Sequence, residues 1–203
     1  MIKKEVCKTA LLMTLHKAIQ IHEHSMDTVR HSDRIATVAH LIGLKYGLSD
    51  SHLETLWRCA LLHDLGKIGI DSYLLTSKEK LNFYEREIVN RHPVYGSDIL
   101  KQSHLFAFEA VVVYQHHENF DGTGYPDRLL GKKSLLYARI IHICDVYDAL
   151  VTFRGYKELW TKEQAQEFLY VQSEKMFDPD LVPIFLEISE SERFLSLYSS
   201  IGG

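Results

Sequence analysis

Little in this chain invites cross-linking. Its three cysteines, Cys7, Cys59 and Cys144, stand far apart and form no Cys-x-x-Cys pair. That excludes a disulfide framework and a zinc–thiolate site, and it points to a reducing compartment. Proline is scarce too, at positions 93, 126, 179 and 183, so long helices are allowed almost everywhere. No apolar run reaches the length of a membrane span. The opening MIKKEVCKTALLMTLHKAIQ is interrupted by Lys8, Thr9, Thr14, His16 and Lys17, which fits neither a signal peptide nor a transmembrane helix. Nor is there an excess of positive charge. A net charge of -4 gives no field for a nucleic-acid polymer. The expectation is a cytoplasmic protein without membrane association. A small anionic ligand stays open, because a bound metal reverses the local sign of a site.

Strand signal is also weak. Val111, Val112, Val113 and Tyr114 have β propensity but lie inside a longer apolar run that a buried helix explains equally well. Helical spacing dominates instead. It predicts a leading helix within residues 5–24. A second helix from about Asp27 to Tyr46 carries the stripe Ile35, Val38, Ala39 and Ile42 and is closed by Gly47. A third is capped by Ser49, with Leu53, Leu56, Trp57, Ala60 and Leu61 on its apolar face. Residues 67–76 read as loop, Ser77 as the cap of a helix over 78–90, and 94–102 and 105–117 as short helices. Residues 118–133 form a glycine-rich loop. Ser134 reads as the cap of the most apolar helix, over about 134–152, which should be the central one. Thr161 to Gln164 matches a capping box, and one or two short helices should follow before a frayed Ile201-Gly202-Gly203 tail. The fold class is all-α. Residues 1–24 are expected to form a leading helix, open to a regulatory or dimerising role, and residues 25–203 one domain.

Histidine, by contrast, is abundant, with twelve copies. The stretch His116-His117-Glu118-Asn119-Phe120-Asp121-Gly122-Thr123-Gly124-Tyr125-Pro126 combines adjacent imidazoles, carboxylates, glycines and a proline, a composition that no helix or strand needs. His31, His63-Asp64 and His92-Pro93 are the other histidines in helix-end contexts. Asp145 lies inside the most apolar helix, where a carboxylate must be paired or bound to metal. Singly, each has a bland reading: a surface imidazole, a helix-end hydrogen bond, an acid answered by Arg139. Together, imidazoles and carboxylates on separate helices can converge as they do in dinuclear sites of helical bundles. Such a ligand set without thiolate suits a divalent transition metal, not Mg or Ca.

These residues are similar to the HD superfamily of metal-dependent phosphohydrolases. His63-Asp64-Leu65-Gly66-Lys67 resembles its HD motif. The stretch HHENFDGTGYPDRLLG, residues 116–131, resembles the signature of the HD-GYP subfamily, and Cys144 to Leu150 and Arg154 to Lys157 also fit its pattern. The resemblance covers roughly residues 25–185. It implies an HD-domain helical bundle and a phosphodiesterase acting on cyclic di-GMP by attack of a metal-bridging hydroxide, giving linear pGpG and then GMP. It implies two metals or three, iron first, manganese or another divalent metal next. The implied ligands are His31, His63, Asp64, His92, His116, His117 and Asp145, with Asp64 bridging and catalytic.

Asp27 stands where three-metal members carry Glu. It reads equally as a third-site ligand and as a helix N-cap. Lys67 is the implied cation for a phosphate or for developing charge. Gly122, Gly124, Tyr125, Arg154 and Lys157 are the implied substrate contacts. Glu118 and Asp121 are candidates to orient an imidazole N–H, while His142 and the remaining histidines read as background. The implied partners are the cyclic dinucleotide and, through the loop, a diguanylate cyclase or other signalling protein; a homodimer is also compatible. Two other readings stay open: a phosphodiesterase for another cyclic dinucleotide such as cyclic GMP-AMP, and a low-activity nucleotide-sensing or protein-interaction module.

Overall fold

Helix ends, more than helix middles, decide this architecture. The computed structural model describes residues 2–22, 26–77, 79–152 and 159–199, with the side chains of 2–4 and 26–29 outside that description. Eleven α-helices occur among these residues, and no strand beyond two isolated bridges. Helix α1 (Ile2–His22) packs against α3 (Asp50–Leu62) and a 3₁₀ turn (Leu65–Gly69), burying Leu12 and Ile19. Helix α2 (Met26–Tyr46) lies along α3 and buries Ile35, Val38, Ala39 and Ile42, the stripe its spacing predicts. It closes on Gly47 at φ +90. There the Gly47 amide donates to Leu44 O and the Leu48 amide to Gly43 O, so the last carbonyls are satisfied by a left-handed glycine cap.

The middle of the chain differs from expectation. Residues 67–76 are not a loop: they contain most of the 3₁₀ turn and α4 (Ser72–Thr76). The helix expected over 78–90 is only α5 (Phe83–Val89). Its cap is Asn82, whose side chain accepts from the Glu85 amide while Glu85 reaches back to the Asn82 amide, so a full capping box outcompetes Ser77. Helix α6 (His92–Lys101) begins at His92 with Pro93 in its first turn, and α7 (Ala107–Gln115) follows a short 3₁₀ turn. Val111 to Val113 are helical.

Helix α8 (Leu136–Val151) is the central one, with Tyr137, Ala138, Ile140, Ile141, Ile143, Cys144, Tyr147 and Leu150 all buried. Each leucine or isoleucine among them contributes roughly 1.5–3 kcal/mol if fully buried. Ser134 does not cap it. Leu135 occupies the cap position, and its amide is answered by Gln115 Oε1. The Thr161–Gln164 capping box starts α9 (Lys162–Val171) as the sequence predicts, and α10 (Val182–Ile188) and α11 (Glu192–Tyr198) complete the bundle. The expected 201–203 tail lies outside the described residues. No described helix is long and apolar enough to cross a membrane.

Two buried features lock the bundle around its centre. Arg34 on α2 grips Asp148 on α8 with a two-pronged hydrogen bond, Nε to Oδ1 at 2.6 Å and the terminal nitrogen to Oδ2 at 2.9 Å, both residues buried. Gly66 in the 3₁₀ turn touches α6 so closely that a Cβ would overlap His92 O and the Gly96 amide. Gly66→Ala should therefore destabilise the protein by about 3 kcal/mol or more, because backbone on both sides cannot yield. Urea unfolding of the variant and wild type checks this; equal midpoints would refute the close-approach account.

Candidate metal centre

Three helix ends and one position within α2 deliver the imidazoles. His63 is the C-cap of α3, and its Nδ1 lies 2.7 Å from Ala60 O. His116 is the C-cap of α7, with Nδ1 2.6 Å from Val113 O. His92 follows the end of α5, with Nδ1 2.8 Å from Val89 O. Each imidazole reaches back three residues to a carbonyl that the helix end leaves without an intrahelical partner. A carbonyl only accepts, so Nδ1 must carry the proton and a neutral ring presents a bare Nε2 lone pair. In His31, on α2, Nδ1 sits 2.7 Å from Asp148 Oδ2, the carboxylate held by Arg34. Four separate contacts thus aim four Nε2 atoms the same way.

They meet around Asp64. His92 Nε2 lies 3.3 Å from His116 Nε2 and 3.2 Å from His117 Nε2, forming one cluster. His31, His63 and Asp145 form the second, with His31 Nε2 3.3 Å from Asp145 Oδ1. Asp64 stands between them. Its Oδ1 is 3.3 Å from His92 Nε2, and its Oδ2 is 3.2 Å from His63 Nε2 and 3.7 Å from His31 Nε2. Lys67 Nζ lies 2.6 Å from Asp64 Oδ2.

The electrostatics divide along the same line. Burial, and then the neighbouring imidazoles, push His116 and His117 well below the usual range, and burial lowers His92, so burial favours the neutral form of these rings. Burial also acts against charge at His31, but the carboxylates of Asp145, Asp148 and Asp64 overcome it and raise the ring to about 10. At His63 burial is likewise outweighed, by Asp64 and Asp145. Asp64 and Asp145 resist burial and stay well below the usual carboxylate range, Asp64 through His63 and Lys67 and Asp145 through His31. One side of the pocket is thus a set of neutral lone pairs, and the other a pair of imidazoles held among carboxylates.

The residues fit a metal on two grounds. His92 and His116 face each other with lone pairs, which repel unless a cation lies between them. The Nε2 atoms of His31 and His63 are buried without a hydrogen-bond partner, although carboxylate oxygens are near. Both groups can hold a metal ion. Such a donor set suits a divalent transition metal.

The structure thus gathers His31, His63, Asp64, His92, His116, His117 and Asp145. The Tyr125 ring lies against His117, with centroids 4.9 Å apart, at the rim of the same centre. Burial first, then the charges of Asp145 and Asp64, raise its phenol well above 10, while Arg86 on α5 acts in the opposite sense. Gly124 is pressed on the backbone of residues 117–119, where a Cβ would overlap it, and Gly122 has φ +79. Asp27 lies in the first turn of α2, with its side chain outside the described residues; Arg154 and Lys157 are outside them altogether.

Glu118 and Asp121 do not orient imidazoles. Glu118 is buried and accepts from the Asp127 and Leu129 amides, and Asp121 accepts from Thr123. Arg139 pairs with Asp178, not with Asp145. Sequence reasoning missed Asp148 as the partner of His31. The signal was an acid one turn beyond Asp145 in the same apolar helix. It also missed the buried His142, whose Nε2 contacts Asn119 Oδ1 at 3.0 Å and holds the loop to α8.

Comparison with known proteins agrees with this geometry. A model of the HD domain family matches residues 14–181. The chain is 37% identical over 177 residues to the cyclic di-GMP phosphodiesterase response regulator RpfG of Xanthomonas campestris, covering 86% of this chain and 46% of that protein. It is 34% identical over 196 residues to the 3′3′-cGAMP-specific phosphodiesterase 2 of Vibrio cholerae, covering 96% and 37%. The chain therefore spans less than half the length of these curated relatives. In fold it is similar to the crystal structure of a cyclic GMP-AMP-specific phosphodiesterase of V. cholerae (V-cGAP3), with a TM-score of 0.70 at 21% identity over 94% of this chain and 50% of that one. On the matched family model, the relatives and its loop signature, this chain belongs to the HD domain family, in its HD-GYP subfamily.

Proposed function

We propose that this chain is a metal-dependent phosphodiesterase that opens cyclic di-GMP to linear pGpG and carries it on to GMP. The observation that carries the reading is the meeting of His92, His116 and His117 Nε2 at 3.2–3.3 Å beside Asp64, with the proton of His92 and of His116 committed to a helix-end carbonyl. Two metals, iron or manganese, would be held by His31, His63 and Asp145 on one side and His92, His116 and His117 on the other, with Asp64 shared. Asp27 is a candidate ligand of a third. Bound metal supplies Lewis acidity toward phosphoryl oxygens and lowers the pKa of the attacking water.

The chain's own groups do the rest. Lys67, held at Asp64, places a cation where a phosphodiester anion enters. Tyr125 keeps its proton, so its hydroxyl is a hydrogen-bond donor at the rim. Gly122 and Gly124 set the loop that carries it, and Arg154 and Lys157 are candidate phosphate contacts. RpfG is a cyclic di-GMP phosphodiesterase, and the relative aligned along 96% of this chain is a 3′3′-cGAMP-specific one. The second substrate is therefore the alternative reading. The exposed loop rim is the candidate surface for a diguanylate cyclase or other signalling partner.

Three outcomes are expected. Protein purified without oxygen should carry about two metal ions per chain by elemental analysis, and His92→Ala should carry fewer; a metal-free protein would sink the reading. Reconstituted with Fe(II) or Mn(II), the wild type should hydrolyse cyclic di-GMP and Asp64→Ala should not, chromatography of the products deciding between cyclic di-GMP and cyclic GMP-AMP. Asp148→Asn, which weakens the acceptor for His31 Nδ1–H, should lower metal affinity by about 10–100-fold, read by competition with a chromogenic chelator. An unchanged affinity would mean that His31 is oriented by something else.

A further inference from the structure

The 3₁₀ turn that carries Lys67 is held from two sides, and the two holds differ in kind. On one side stands α6. Gly66 meets it backbone to backbone with no room for a Cβ, and Gly69 lies against the Tyr95 ring. That side cannot yield. On the other side stands the C-terminal end of α1. There His22 Nε2 lies 3.2 Å from Ile70 O, and since a carbonyl only accepts, the ring donates. Ile70 is buried, and its amide donates to Lys67 O at 2.9 Å. The contact from α1 thus closes on the residue whose ammonium holds Asp64.

The attachment of α1 itself is thin. Among its described side chains only Leu12, His16 and Ile19 are buried, a single narrow seam at helical spacing, whereas α8 buries most of its length. Its one deep ion pair is redundant. Lys8 Nζ lies 2.9 Å from Oε1 of the buried Glu109, but Nε of Arg58 on α3 lies 2.9 Å from that same oxygen. If Lys8 withdraws, Glu109 keeps a partner, and no bare charge is stranded in the core. His16 faces Gln20 of its own helix and the exposed Asp33, 3.4 Å away. Nor is the seam closed along its length. A cleft of about 640 Å³ opens between the first half of α1 and α3, with Lys8, Leu12, Leu53 and Trp57 among its walls.

We infer that α1 is a detachable clamp on the Lys67 turn. Docked, it fixes the turn against α6; released, it frees the turn and weakens the hold of the centre on a phosphodiester. Lys8, Leu12, Ile19 and His22 are all outside the metal cluster, so the clamp is a regulatory handle remote from the chemistry. The effect on substrate rests on the phosphodiesterase reading above, while the coupling of α1 to the turn rests on the contacts alone.

Hydrogen–deuterium exchange on the whole chain tests the coupling without any substrate. The amides of α1 should exchange about tenfold or more faster than those of α8, through an opening that leaves the core folded. Ile19→Ala should speed α1 and residues 67–70 together by about tenfold, with α8 changed less than about twofold. His22→Ala, which removes the bond to the turn, should speed residues 67–70 and leave α8 as it is. In the metal-loaded chain, His22→Ala should raise KM for cyclic di-GMP about fivefold, with kcat within about twofold. That increase should vanish in a Lys67→Ala background, measured as calorimetric binding where turnover is too slow, because it acts through that ammonium. A helix that only stabilised the fold would add the same penalty in both backgrounds. Exchange of α1 only together with α8, a turn unmoved by either variant, or additive effects of His22→Ala and Lys67→Ala would each overturn the inference. If the wild type cleaves no cyclic di-GMP, the phosphodiesterase reading fails by itself, and exchange alone decides for or against the clamp.

Discussion

A helix cannot satisfy its own last carbonyls, and this protein answers three of them with imidazole. Ala60, Val89 and Val113 each accept a hydrogen bond from the histidine three residues later. The contact caps the helix, removes the proton from the far side of the ring, and fixes the direction in which that far side points. The candidate metal centre follows from the placing of helix ends. Wherever α3, α5 and α7 stop, a directed lone pair appears, and the bundle brings those stops together.

The fourth directed ring depends on a different partner with the same logic. His31 lies within α2 rather than at its end, so no free carbonyl is available, and Asp148 takes that place. Asp148 is fully buried and is held ionised, at about 2, by Arg34 and His31 against the cost of burial. Breaking such a buried pair costs about 3–5 kcal/mol. One carboxylate therefore joins α2 to α8 and aims the His31 ring, which couples the stability of the bundle to the geometry of its centre. Asp64, between the two clusters, joins them as Asp148 joins the two helices.

Much of this was legible in the chain. The stripes of α2, α3 and α8, the Gly47 stop and the Thr161 capping box are local patterns, and local patterns survive into the structure. All seven histidines and aspartates assigned to the centre by resemblance converge there. What escaped was decided by competition or by distance in sequence. Asn82 outcompeted Ser77 because it brings Glu85 with it. Gln115 answers the amide of Leu135 and leaves Ser134 out of the cap. Glu118 sits beside two histidines and so reads as their partner, but amides nine and eleven residues on claim both its oxygens. His142 resembles background in the sequence and becomes a tie between α8 and the loop only through Asn119.

The loop after His117 is fastened at several points. Glu118 holds its far side, the Phe120 and Asp121 amides donate to the carbonyls of Met176 and Lys175, and the Tyr125 amide donates to His117 O. Mechanically it is a short beam clamped at both ends, one clamp being the backbone of a ring in the histidine cluster. A load on its exposed crest at Arg128 or Leu130 has no hinge to swing about and is carried into that ring. Touching the outside of the loop is a way of touching the centre.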